Sequence, residues 1–319
     1  MRLSSSFLSS LVGKRFTALL LTKTFQLFFN GAVHVPTEFK RERHRMPVLP
    51  TFTQRKEGNL MSGALDLFQL DGKVAVVTGG SKGIGMFYSQ ALAEAGAHVV
   101  VADIDLASVA QTSERLSKEH AGRILGADLD VTSRESIQAM VHQIDQRWGR
   151  LDILVNNAAL FTALPRRASP WGIPDAEFDQ VMAVNVRALY RCTVECLPLM
   201  QRHQGGRVIN ISSGLAFKGA PGLIHYAASK GAVVNLTRSM AQALGDTGIT
   251  VNSIAPGGTA SPTLLAVQPD AGQGAIQRRS IKRLEVPEDL VGTLLYLASP
   301  ASAFLTGQTI AVNGGDYLH

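Results

Sequence analysis

Lys73-Val-Ala-Val-Val-Thr78-Gly79-Gly80-Ser81-Lys82-Gly83-Ile84-Gly85 decides the fold class of this chain. Its first half is a run of small and β-branched apolar residues, the pattern of a strand buried on both faces. Its second half is a glycine cluster that opens a helix at Ile84. Glycine lets the chain turn tightly and brings backbone N–H groups against a pyrophosphate at a helix N-terminus, where the dipole favours negative charge. Glycines alone mark any turn. Their place between a first strand and a first helix points to a dinucleotide-binding unit.

The same alternation continues outward from this loop. Ile84–Ala95 is predicted as a helix ended by Gly96, His98–Ala102 as a second strand, Leu106–Glu119 as a helix and Arg123–Leu129 as a third strand. A helix over Ser133–Trp148 stops at Gly149, and a fourth strand covers Asp152–Val155. After a loop with Pro165, Pro170 and Pro174 come a long helix, about Asp175–His203, and a strand at Arg207–Ile211. A helix over Gly222–Leu244 and a strand at Thr250–Ala255 follow. A Gly/Pro-rich stretch to about Arg283, a helix over Pro287–Ala298 and a last strand at Thr309–Val312 complete the pattern. Short apolar strands alternating with longer helices imply a parallel sheet covered on both faces. Seven such strands predict an α/β fold with a single doubly wound, seven-stranded parallel sheet of Rossmann type.

The formal net charge of +6 is not spread over this pattern. Residues 1–60 hold ten Lys/Arg against three acids, an excess of +7, so residues 61–319 sum to −1. A near-neutral body argues against a basic groove for nucleic acid. Pro36, Pro47, Pro50 and the charge run Lys40–Arg45 break periodicity in residues 1–60. That segment reads as a disordered or non-native extension ahead of a domain at 61–319, with the working protein expected to begin at or near Met61. The extension is then an upstream over-reading of a bacterial gene or, in a eukaryote, a cleaved transit peptide, since its first 37 residues lack acids. The apolar run Phe16–Val35 is interrupted by Lys23, Gln26 and Asn30, so no membrane-spanning helix is expected. Cys192 and Cys196 share one helical pattern and read as small buried side chains rather than a metal or redox pair. That fits a reducing cytoplasm or an organelle matrix, and no metal site is expected.

His225-Tyr226-Ala-Ala-Ser-Lys230 sets a tyrosine and a lysine one helical turn apart on one face. A tyrosine with a pKa of ~10 is a poor base unless a nearby cation lowers that value. Such a pair also arises by chance on amphipathic helices. Ser213 follows the strand Arg207–Ile211 and lies thirteen residues before Tyr226, adding a hydroxyl able to steady charge on a reacting oxygen. Its neighbour Ser212 should point the other way and serve structure. Asn185, in Val184-Asn-Val186, is an indifferent helix former in mid-helix, which calls for a reason.

With the spacing TGxxxGxG at 78–85, Asn156-Asn157-Ala158-Ala159 and Pro256-Gly257-Gly-Thr259-Ala-Ser261, the chain resembles the short-chain dehydrogenase/reductase family over about residues 70–316. Two positions depart from the family pattern: Ala159 stands in a glycine slot and Ser261 in a threonine slot. The resemblance implies an NAD(P)-dependent oxidoreductase that interconverts a secondary alcohol and a ketone by hydride transfer. Tyr226 would be the acid/base, Lys230 its cationic helper and a ligand of the nicotinamide ribose, and Ser213 the partner of the substrate oxygen. Asn185 would anchor a water that joins the lysine to solvent. The cofactor would lie along Gly79, Ser81, Lys82, Gly83, Ile84 and Gly85, with Asp103 on the adenosine ribose and Asp130 and Val131 flanking the adenine. Asn157 would line it, and Pro256 and the Thr259 backbone would meet the nicotinamide end.

A carboxylate at Asp103 accepts bonds from ribose hydroxyls and repels a 2′-phosphate, so NAD is expected ahead of NADP. Two alternatives stand beside this reading: Asp103 as a cap of the next helix, and Lys82 as the partner of a 2′-phosphate. Asp128, Asp130 and Thr132 likewise compete for the N-cap of the helix at Ser133. The substrate pocket is expected from Leu160–Pro174 and Ser261–Arg283. Arg166/Arg167, Arg278/Arg279 and Lys282/Arg283 there read either as solvated surface or as an attractor for an anionic substrate. A small-molecule alcohol or ketone is the leading substrate. The alternatives are 3-oxoacyl-carrier-protein reduction with NADPH and a non-catalytic cofactor-binding scaffold. The family resemblance also implies a homotetramer, with Val181, Val184, Ala188, Cys192 and Val233, Leu236, Met240, Leu244 as its expected apolar stripes.

Overall fold

The computed structural model describes residues 63–165, 169, 171–203 and 205–318; residues 1–60, Arg166 and Arg167 lie outside the described residues. The strands are β1 (Val74–Thr78), β2 (His98–Asp103), β3 (Ile124–Asp128), β4 (Ile153–Asn156), β5 (Gly206–Ile211), β6 (Ile249–Pro256) and β7 (Thr309–Val312). Between β1 and β4 lie α1 (Gly83–Glu94), α2 (Leu106–Glu119) and α3 (Arg134–Trp148). Then come α4 (Asp175–Met182), α5 (Ala188–Gln201), α6 (Leu215–Lys218) and α7 (Ile224–Ala243). The last helices are α8 (Pro262–Val267), α9 (Gln273–Ile276) and α10 (Glu288–Ala298).

All neighbouring strands are parallel, in the order β3-β2-β1-β4-β5-β6-β7. The strand order reverses between β1 and β4. The connections leave in opposite directions there, which opens a crevice at the C-terminal strand ends, where doubly wound sheets hold ligands. Successive β1 side chains alternate between two apolar layers. Val74 and Val76 join residues of α3, α5 and α7, while Ala75 and Val77 join residues of α1, α2 and α10. Local signals set the helix ends. Ser133 accepts from the Ser136 N–H at the start of α3, and Gly149, at φ 66°, ends it in the left-handed region.

Three expectations change. The predicted helix 175–203 is not α-helical throughout: Ala183–Arg187 forms a π turn that carries Asn185. The Gly/Pro-rich stretch after β6 contains α8 and α9, too short to show a helical period in sequence. The third change concerns assembly. Ala188, Cys192, Val233, Met240 and Leu244 are buried in one layer of this one chain, with Val184 and Leu236 packed against it, and Val181 is buried beside Leu164, Leu223 and Tyr226. A helix covering a sheet buries one stripe, and all of these residues but Val181 belong to it. They are therefore not free to form the tetramer contacts expected of them. Cys192 and Cys196 are free and buried, and burial pushes the Cys192 thiol up to about 12. Among the described residues, no helix is long and apolar enough to cross a membrane and no cluster suits a metal ion.

Candidate active site

The glycine loop between β1 and α1 is shaped by its lack of side chains. Gly79 and Gly83 sit at φ 61° and 57°, which residues with a Cβ rarely adopt. A Cβ on Gly85 would collide with the Gly79 carbonyl oxygen. Asn157, just past β4, donates from Nδ2 to the carbonyls of Thr78 (3.0 Å) and Gly79 (2.9 Å). Thr78 Oγ1 in turn accepts from the Asn157 and Ala158 N–H groups at 3.1 Å. The loop is thus fastened across the crevice at the strand-order reversal. A glycine cradle at the head of a 12-residue helix fits a pyrophosphate.

At the end of β2, Asp103 Oδ2 accepts from Ser81 Oγ at 2.6 Å and its Oδ1 from the Asp105 N–H at 3.3 Å. The cap of α2 is Asp105, which accepts from the Ser108 N–H, so Asp103 is not the cap. Lys82 Nζ donates to Asp105 Oδ2 at 2.6 Å, and that bond is the largest cause holding the Asp105 carboxyl down at about 2. Beyond β3, Asp130 Oδ1 accepts from Thr132 N–H and Oγ1, while Ser133 takes the N-cap for which Asp128, Asp130 and Thr132 competed. Asp130 and Val131 line the same cleft as Asp103.

Ser213, Tyr226 and Lys230 line that cleft too. Lys230 is 3% exposed and donates from Nζ to the Ile211 carbonyl at 2.8 Å. Its ammonium lies 5.7 Å from the Tyr226 ring centroid, and burial pushes its pKa down to about 8. Phe161 packs against the Tyr226 ring, 4.8 Å centroid to centroid. Ser213 Oγ accepts from the Leu215 N–H at 3.2 Å. Ser212 points into α7, donating to the Lys230 carbonyl at 2.8 Å, as expected for a structural neighbour.

Asn185 is not among the residues lining the cleft. Its Oδ1 accepts from the Leu160 N–H at 2.8 Å and its Nδ2 donates to Ser229 Oγ at 3.1 Å. Ser229 Oγ donates to the Tyr226 carbonyl at 2.7 Å. Asn185 thereby ties the π turn to the Leu160 loop and to the turn of α7 that carries Tyr226. This is the local reason for a poor helix former in mid-helix.

The cleft has a volume of about 850 Å³ and runs from Asp103 to the region of α6, α8 and α9. Pro256, Gly257, Gly258 and Thr259 line it after β6. Leu160, Phe161, Leu215, Leu264 and Ala275 give its far end an apolar wall. Lys218 and Arg278 stand at the mouth, both paired with Asp316. Sequence reading missed Lys218 and Asp316, because nothing local marks a lysine and an aspartate 98 positions apart as partners. The basic pairs divide. Arg278 lines the cleft, whereas Arg279 is 1% exposed and paired with Glu285, neither solvated nor open to a substrate. Lys282 and Arg283 bond to Gln277 and Asp289 outside it.

Comparison with known proteins agrees with this geometry. Residues 73–271 match the short chain dehydrogenase family. The chain belongs to that family. It is similar to the 3-oxoacyl-[acyl-carrier-protein] reductase FabG of Thermotoga maritima, with 34% identity over 250 residues, 77% of this chain and 98% of the relative. It also resembles the solved 7α-hydroxysteroid dehydrogenase complexed with NADH and 7-oxo glycochenodeoxycholic acid. That match has 33% identity and a TM-score of 0.72 over 78% of this chain and 96% of that one. A candidate NAD(P)-dependent gluconate 5-dehydrogenase from Beutenbergia cavernae with bound NADP matches at 32% identity and a TM-score of 0.70, over 78% and 98%. This short-chain dehydrogenase is an NAD(P)-dependent oxidoreductase that interconverts an alcohol and a ketone.

Proposed function

We propose that the chain is an NAD-preferring dehydrogenase of an apolar secondary alcohol, with Tyr226 as acid/base. The observation that carries this is the shared cleft: Ser213, Tyr226 and Lys230 line one end, and the glycine loop and Asp103 the other. When bound, the nicotinamide supplies the acceptor or donor of a hydride. In the oxidative direction Tyr226 takes the proton from the alcohol oxygen as the carbinol hydrogen departs with its electron pair. The Lys230 ammonium 5.7 Å from the ring favours the phenolate, since an opposite charge stabilises the ionised form. Ser213 donates to the substrate oxygen while its charge changes. Asn185 holds the Leu160 loop and the Tyr226 turn in register.

The preference for NAD rests on Asp103 and Lys82. Asp103 stands at the strand end facing the cleft, and Lys82, which lines the same cleft, is paired with Asp105. The apolar wall favours a hydrophobic alcohol. A second reading, 3-oxoacyl-carrier-protein reduction with NADPH, has the 34% identity to such a reductase in its favour. A panel of secondary alcohols, ketones and 3-oxoacyl thioesters, run with both cofactors, separates the two. Turnover of apolar alcohols with NAD supports the first reading; turnover of thioesters alone, with NADPH, replaces it.

The compartment we propose is the cytoplasm, which two unbridged cysteines suit. Homotetramer formation is retained on different ground from the stripes above. Tyr190 and Val194, 50% and 37% exposed on the outer face of α5, are apolar surface that a second copy would cover.

A further inference from the structure

The loop after β6 rests on an ion pair that does not reach the cleft. Glu285 Oε1 accepts from the Gly257 N–H at 3.0 Å and from Thr259 Oγ1 at 2.7 Å, and the Glu285 carbonyl accepts from the Ala260 N–H at 2.7 Å. Arg279 Nη2 donates to the Gly258 carbonyl at 3.0 Å and to Glu285 Oε2 at 3.1 Å, and its Nη1 donates to the Arg283 carbonyl at 3.1 Å. Every residue from Gly257 to Ala260 is therefore bonded to one member of the pair. Contact is close: a Cβ on Gly257 would collide with Glu285 Oε2 and lie 3.1 Å from Arg279 Nη2.

Arg279 and Glu285 are 1% and 5% exposed, and neither lines the cleft, whereas Gly257, Gly258 and Thr259 do. Burying two charges is costly, and a well-packed apolar pair of similar volume often serves stability as well or better. Volume alone does not explain the choice. Charged partners supply direction instead, because bonds to ionised groups are shorter and stronger than neutral ones.

We infer that Arg279 and Glu285 are positioning residues. They fix the backbone of Gly257–Thr259 at the nicotinamide end of the cleft without touching cofactor or substrate. The inference rests on the cofactor reading above and separates from it experimentally. ADP-ribose shares every part of NADH except the nicotinamide. A loop-positioning role therefore weakens NADH alone, whereas a loosened fold weakens both ligands.

The test is a fluorescence titration of the full chain with NADH and with ADP-ribose, or with their 2′-phosphorylated forms if NADPH is preferred. Three variants are compared: Glu285→Leu, Glu285→Gln and the double Arg279→Met/Glu285→Leu. Glu285→Leu should weaken NADH at least about tenfold (~1.4 kcal/mol) and leave ADP-ribose within about twofold. Glu285→Gln keeps an oxygen for Gly257 and Thr259 and should recover most of the loss. The double variant removes the charges together, so it should melt near the parent yet keep the NADH defect; it decides the matter if Glu285→Leu does not fold. A double variant with parental NADH affinity and kcat overturns the inference. So does equal weakening of both ligands. A parent that binds neither NADH nor NADPH overturns the cofactor reading beneath it.

Discussion

Lys230→Met should make the protein inactive and more stable. A buried ammonium is a burden on the fold: at 3% exposure its pKa falls from 10.5 to about 8 through desolvation. That displacement corresponds to about 3 kcal/mol of folding free energy at pH 7, an order-of-magnitude figure. Methionine fills the same channel without a charge. It also strips the Ile211 carbonyl of the lysine bond at 2.8 Å, an opposing loss of about 1 kcal/mol. The net gain is ~2 kcal/mol, which for a domain of this size raises Tm by about 4–8 °C.

The pH dependence identifies the cause. Because the folded-state pKa lies below the unfolded one, the unfolded chain binds more protons between about pH 8 and 10.5, and parent stability rises with pH there. The penalty is present in full below about pH 8. By pH 9.5 it has fallen to about 1 kcal/mol, close to the cost of the lost carbonyl bond. Thermal melts of cofactor-free parent and variant at both pH values test this. The variant should melt higher at pH 7 and within about 2 °C of the parent at pH 9.5. A variant that melts at or below the parent at pH 7, or by the same margin at both pH values, refutes the reasoning.

Tyr226→Phe should lower kcat about 10²–10⁴-fold, the span of general acid–base effects, with the NADH Kd unchanged within about twofold. Retention of more than a few per cent of activity would rule out Tyr226 as the proton carrier. Parent enzyme should prefer NAD over NADP by at least about tenfold in kcat/KM, and Asp103→Asn should narrow that gap. A parent that prefers NADPH would instead assign Lys82 to the 2′-phosphate. A chain starting at Met61 should match the full-length protein in Tm and kcat, and mass spectrometry of the native protein should find its N-terminus near that residue. Loss of either property on truncation would mean that residues 1–60 support the domain.

Much of the fold was legible because its signals are local. A parallel strand buried on both faces announces itself as an apolar run, and Val74–Thr78 needs no partner to be read that way. Ser133 and Gly149 mark the ends of α3 in the same self-contained fashion. The π turn at Ala183–Arg187 was not legible, since one widened turn leaves the apolar period nearly intact. The stripes running from α4 through the π turn into α5, and along α7, were read correctly as apolar and assigned to the wrong contact. Periodicity says that a face is buried, but not whether its own sheet or a second copy buries it.

Charge carries even less of its own placement. Arg278 and Arg279 are adjacent and chemically identical, yet one pairs with Asp316 at the mouth of the cleft and the other lies beneath a loop. Both lie in the turn just past α9, where their N–H groups share the Ala275 carbonyl and the two side chains leave in different directions. No spacing rule links Arg279 to Gly258 or Glu285 to Gly257, because the contacts exist only once β6, α9 and the chain before α10 have met. Tyr226 and Lys230 were legible for the opposite reason: both sit on one helix, where four residues of sequence are one turn of space. The proposed acting pair is thus local, while the pair inferred to support its cofactor end is assembled from distant segments. Substitutions behind the cleft, at residues with no motif, are therefore where sequence reading of this protein goes furthest astray, and where melting and ligand titrations have the most to add.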